Sequence, residues 1–205
     1  MPQPISCVAP NVSIMISNAG DRVLARHPDL AILAIEAIAS WSNVESFMLN
    51  LYVQLMGGPD EIAATAYLAL ETQSAKTRVI RAVAEKVLSG DNLALLVAIL
   101  AVAKTRQKSR NKLAHHVWGD SPQVPDAVFL TDPKSLLQQP LPLDQVYVYR
   151  RADFNEIIQG NVRLCGYGRT FRQIIVDRPG LNKDSRLYDL LCEEPEIRER
   201  LNSQS

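Results

Sequence analysis

The sequence predicts a mainly α fold: a bundle of four to five helices with a small two-stranded β-ribbon inserted before the last bundle helix. Three observations carry this expectation. Long stretches repeat apolar residues at three- and four-residue steps, the period of an amphipathic helix. Start or stop signals bound these stretches, at Pro28 and Asp29, Gly57 and Gly58, Pro59 to Glu61, and Ser89 to Asp91. Only two short runs, 127–131 and 145–150, are rich in β-branched and aromatic residues.

Composition narrows the function classes. The 205 residues are 47% hydrophobic, with 22 basic and 22 acidic side chains and a formal net charge of zero. A chain of this size can bury about 70% of its unfolded surface and needs no disulfide or metal staple. Zero net charge argues against a protein that holds nucleic acid with its whole surface, so any such contact must be local. Cys7, Cys165 and Cys192 are few and widely spaced, which fits neither a disulfide framework nor a zinc site and suits a reducing cytoplasm. Residues 1–10 lack a basic stretch followed by an apolar one, so no secretory signal is expected. The charge-free run from Leu93 to Ala103 is about half of a membrane span, and no membrane association is expected.

In chain order, residues 1–27 read as an N-terminal arm with prolines at 2, 4 and 10 and an apolar patch at Val12, Ile14, Met15 and Ile16. Residues 28–177 form the bundle, with the ribbon at 127–150, and 178–205 a charged tail with one or two short helices. The first bundle helix runs from Pro28 to about Met56, its stripe drawn by Leu30, Leu33, Ala37, Trp41, Val44, Met48, Leu51 and Leu55. Glu45 falls on or beside that stripe, a carboxylate at the edge of the core or one aimed at a basic partner. A short helix follows from Ile62 to about Thr72, and a third from about Ser74 to Leu88. The fourth is apolar on every side from Leu93 to Val102, which places it centrally, and it turns basic at Lys104 before ending near His116. Trp118 to Pro122 read as a turn. Asp153 and Glu156 form a start signal for the fifth helix, from Phe154 to about Val176, in which Gly160, Gly166 and Gly168 suggest close packing against another backbone. Arg178, Pro179 and Gly180 end it.

The chemistry concentrates where the fourth helix ends. Lys104, Arg106, Lys108, Arg110 and Lys112 alternate along it, followed by His115 and His116, two of the chain's three histidines. The two imidazoles point about 100° apart on a helix, so they do not share one metal, and no metal or other cofactor is expected. The sequence lacks G-x-S-x-G and H-E-x-x-H, and Gly166-Tyr167-Gly168 follows no strand as a phosphate loop would. Arg110 with His115 survives as a candidate pair: an arginine can grip a phosphate through two hydrogen bonds, and a histidine titrates near neutrality.

The segment Arg110-Asn111-Lys112-Leu113-Ala114-His115 resembles the R-x4-6-H motif of the HEPN superfamily, including the polar residue that often follows the arginine. The resemblance spans roughly residues 28–177 and is strengthened by the Leu-Ala-His-x-x-Trp-Gly continuation. It implies an up-and-down helical bundle and a metal-independent endoribonuclease or RNA-binding protein, often of a toxin–antitoxin or defence system. It also implies a homodimer whose two motifs face one cleft, and an antitoxin or other protein partner. Arg110 and His115 would be catalytic, Asn111 would orient the phosphate or the imidazole, and Lys104, Lys108 and Lys112 would steer RNA. Many members of the family carry glycine after the motif histidine where this chain has His116, which is therefore a supporting candidate together with Glu45. Residues five apart on an ideal helix lie about 140° around and about 7.5 Å along the axis, so a second subunit is part of this reading. The alternative is a non-catalytic interaction or scaffold module, with Arg110 paired to Glu45 or another carboxylate and the basic run merely solvated.

Overall fold

The computed structural model describes residues 2–8, 22–58, 61–176 and 185–203, and these are mainly helical with one small antiparallel sheet. The chain gathers into two compact units. Met1–Trp41 and Arg106–Gly160 make the first, and Ser42–Thr105 and Asn161–Ser205 the second. Three long helices, α3 (Pro28–Leu55), α6 (Gly90–His115) and α7 (Arg151–Val176), each contribute one part to either unit.

The first unit holds the sheet. Strands β1 (Gln3–Pro4), β2 (Val117–Gly119), β3 (Val128–Thr131) and β4 (Val146–Tyr149) pair antiparallel in the order β1-β4-β3-β2. The register is set by Val117 opposite Thr131, Val128 opposite Tyr149, and Gln3 opposite Val148. The expected ribbon is thus the centre of a four-stranded sheet. Both added strands are too short to show alternation in sequence, and β2 takes up part of the turn expected at 118–122. A two-stranded ribbon is marginal on its own, and this one gains a strand at each edge and a packed layer on each face.

Alternation divides the sheet's side chains between those two layers. Val128, Leu130 and Tyr149 pack with Leu30, Ala34 and Ala37 of α3, Leu113 of α6, and Phe154 and Ile157 of α7. Phe129, Val146 and Val148 face the other way, onto Ile5 of the short helix α1 (Ile5–Val8), Val124 and Ala127. Trp118 stacks on Phe154 with ring centroids 6.4 Å apart and planes within 6°. The expected arm therefore contributes a strand and a fully buried isoleucine at residues 3–8, and a helical turn, α2 (Val23–Arg26). The apolar patch at 12–16 lies outside the described residues, as does the stop signal at Arg178 to Gly180.

The second unit is helical. Apolar residues Leu95, Leu96 and Ile99 of α6 are fully buried, as the all-round apolar pattern requires. Met48 and Leu51 of α3, Leu164 and Phe171 of α7, and Ile80 of α5 (Gln73–Val87) are buried in the same unit. Thr72 caps α5, its hydroxyl accepting the Ala75 N–H at 3.1 Å. Tyr67 of α4 (Glu61–Leu68) meets the Tyr52 ring at 5.2 Å. The tail forms α8 (Ser185–Glu193) and α9 (Pro195–Asn202), with Leu191 and Ile197 buried and Glu194 accepting from the Tyr167 hydroxyl at 3.2 Å.

Helix α7 starts three residues earlier than its motif suggested. Asp153 occupies the third helical position and reaches back to accept the Arg150 backbone N–H at 3.0 Å, the returning half of a capping box. The close approaches at its glycines are to side chains, not to backbone. A Cβ at Gly160 would strike the Arg106 guanidinium and one at Gly168 the Phe47 ring, while Gly166 has open space.

Helix α3 is long and apolar enough to cross a membrane by length and composition alone, with a mean hydropathy of 1.2 over its best window. Leu30, Ala34 and Ala37 are buried in the first unit and Val44, Met48 and Leu51 in the second, which a core helix also requires.

Candidate functional site

The end of α6 owes its orientation to one residue. Leu113 is 1% exposed and locked into the layer between sheet and helices, which fixes the azimuth of the last two turns. Arg110, three positions earlier, shares the inward side and is half-buried. His116, three positions later, is also half-buried, its backbone N–H still bonded to the Lys112 carbonyl at 3.0 Å. His115, two positions on, turns about 200° away from Leu113 and is exposed.

The inward groups are incompletely satisfied. Arg110 Nη1 donates to Asn111 Oδ1 at 3.3 Å, while Arg110 Nε is buried without a hydrogen-bond partner. Among the described residues Arg110 makes no ion pair, with Glu45 or any other carboxylate, so the bland expectation of a paired guanidinium is not met. His116 Nδ1 is also buried and unpaired. Burial lowers the His116 pKa below its usual value, the neighbouring Asp132 carboxylate opposes that shift, and the Lys112 and His115 charges add to it.

The lysines separate into two kinds. Lys104 and Lys108 are exposed, and Lys104 belongs to the second unit. Lys112 lies half-buried with its Nζ 4.2 Å from the centroid of the Tyr147 ring on β4. Burial first, and then the charge on Lys108, lower its pKa. Arg106, one of the alternating cations, is structural: its Nη1 lies 3.8 Å from Glu156 Oε1, and its guanidinium fills the space at Gly160.

Glu45 lies at the edge of the core, the first of its two readings. It is exposed in the second unit, where its charge adds to burial in raising the pKa of the Tyr67 phenol. Arg110, Asn111, Lys108, Lys112, His115 and His116 therefore share the α6 end in the first unit, while Glu45 and Lys104 belong to the second. Helix α6 stays α-helical through His115, and no hydrogen bond joins Arg110 to His115 among the described residues.

The first unit also holds a polar group that sequence reasoning missed. Asp120, 8% exposed and directly after β2, accepts from Arg26 Nε and Nη2 at 2.8 Å each, and its Oδ2 lies 3.1 Å from His27 Nε2. The partners are 94 and 93 positions from Asp120. The available signal was His27 itself, the one histidine away from the motif.

Among the described residues no cluster of three or more His, Cys, Asp or Glu side chains could hold a metal ion. No family model, curated protein or solved structure matches the chain.

Proposed function

We propose that this chain is a HEPN-like, metal-independent endoribonuclease of a toxin–antitoxin or defence type, acting as a homodimer in which Arg110 and His115 of two up-and-down bundles line one RNA cleft. The observation that carries the reading is the guanidinium of Arg110, half-buried with no carboxylate on it among the described residues and its Nε unpaired. A buried donor without an acceptor costs about 1–3 kcal/mol, and a fold that keeps one is poised to receive an acceptor from outside. A phosphate offers that acceptor, and arginine suits it better than lysine.

The chemistry is transfer within the RNA. His115, exposed at the end of α6, removes the proton from a ribose 2′-hydroxyl. The 2′-oxygen attacks the adjacent phosphorus, the bond to the 5′-oxygen breaks, and that oxygen takes a proton from the second copy of His115. Arg110 holds the phosphorane charge, Asn111 orients the guanidinium through the 3.3 Å bond, and the exposed Lys108 attracts the RNA backbone. One helix spreads Arg110 and His115 by about 140°, so two copies supply what one cannot converge.

The test is cleavage of RNA by purified protein in the presence of a chelator, with mass spectrometry for a 2′,3′-cyclic phosphate end. Arg110→Ala and His115→Ala should each lower the rate by about 10²- to 10⁴-fold with thermal unfolding nearly unchanged. Undiminished cleavage in both variants would overturn the assignment. A second reading, an interaction module, is favoured by Ile32 and Ile35 of α3, which are 58% and 63% exposed. Absence of cleavage together with loss of self-association in Ile32→Ser, Ile35→Ser would select it.

A further inference from the structure

Away from the α6 end, the first unit contains a cavity of about 600 Å³ whose walls include Arg26, His27, Arg150 and Arg151. This volume is in the range of small-molecule sites. His27 is held there by Asp120, which is buried and whose two carboxylate oxygens also accept from Arg26. Because Nε2 of His27 faces a carboxylate oxygen, it carries the ring hydrogen, and Nδ1 is the nitrogen left for a ligand. Among the described residues Nδ1 has no partner, and the His27 side chain is 15% exposed at the cavity wall.

The two arginines beside it are lightly held. Arg150 Nε lies 2.9 Å from Asp126 Oδ2 and Arg151 Nη2 lies 3.4 Å from Asp29 Oδ2, with all four side chains well exposed. Exposed pairs of this kind contribute little, so a ligand with a higher charge displaces the aspartates from the guanidiniums. The aspartates also disfavour weak monoanions, which cannot compete for both arginines.

We propose that this cavity binds a small phosphate monoester. A phosphate has three terminal oxygens for three donors, Arg150, Arg151 and His27, where a carboxylate has two. Its P–OH form donates to a neutral His27 Nδ1 and its dianion accepts from a protonated one, so both states of the ring match the ligand. The cavity is larger than a phosphate ion, and Pro28, Leu30, Pro125 and Ala152 give apolar wall for an organic substituent.

The experiment is an NMR titration of the full chain, labelled at histidine, with inorganic phosphate and with phenyl phosphate at constant pH and ionic strength. Saturable movement of the His27 ring signals by both ligands, tighter for the monoester, is the expected result. Arg150→Ala and Arg151→Ala, both at exposed positions, should each weaken that binding about tenfold or more while leaving the His27 signals of the free protein in place. Arg81→Ala, in the second unit, should leave it unchanged. Movement of His115 signals alone would report phosphate at the α6 end and would overturn this site without touching the nuclease reading. Lack of saturation at His27, equal binding in all variants, or binding of inorganic phosphate without the monoester would also overturn it.

Discussion

Lys112 Nζ stands 4.2 Å over the centre of the Tyr147 ring, so one cation of the candidate RNA-binding set is already engaged by the sheet. Its ammonium should titrate below the usual 10.5, because burial and Lys108 both disfavour the charge. With the folded pKa below the unfolded one, the unfolded chain binds more protons between them, and stability rises as pH increases toward 10.5. Direct NMR observation of the Lys112 Nζ through an alkaline titration checks the sign. Lys112→Met should flatten that rise, and a midpoint at or above 10.5 would contradict the burial argument.

His116 makes the corresponding prediction in acid. Its folded pKa is depressed mainly by burial, so the fold favours the neutral ring. That contribution is complete above the unfolded value of 6.5 and is lost as pH falls through the lower folded value. Thermal unfolding followed from pH 7.5 to pH 4.5, a range of about three units around an ordinary histidine, should show a smaller loss for His116→Gln than for the parent. Asp132→Asn should enlarge the parent's loss, since it removes the charge that opposes the shift.

Arg110→Met tests whether function is held against stability. Methionine fills similar space without an unpaired buried Nε, so the variant should gain up to about 1 kcal/mol in denaturant unfolding while losing RNA cleavage. A clear loss of stability would mean that the guanidinium is structural.

The glycines of α7 separate close packing from helix propensity. Gly166→Ala meets open space and should stabilise by up to about 1 kcal/mol. Gly168→Ala drives a methyl into Phe47, itself 7% exposed, and should cost about 1–3 kcal/mol. Chemical denaturation of the two variants side by side decides whether the Phe47 contact is as tight as it looks.

The helices were legible because each carries its own period and stop signals: the stripe from Leu30 to Leu55 marks α3 to within a residue at its far end. The sheet was legible only where Val, Phe and Tyr cluster. Gln3–Pro4 and Val117–Gly119 owe their extended form to partners 145 and 14 positions away at Val148 and Thr131, and two or three residues display no alternation. At the candidate site, spacing marked Arg110 and His115, but burial depends on Leu113, whose inward direction is fixed by the sheet it meets. Beyond His27 itself, nothing in the sequence joined Arg26 and His27 to Asp120, because a buried carboxylate and its partners need share only space.

A single residue, His116, separates the last turn of α6 from the first ladder pair, Val117 with Thr131. Side chains in a strand alternate faces, so one inserted residue at this junction would send Trp118 away from Phe154 and bring Val117 or Gly119 in its place. The spacing between motif histidine and tryptophan is therefore a counted length. Insertions between 115 and 118 should be rejected, whatever residues are added, as loss of the native fold in thermal unfolding.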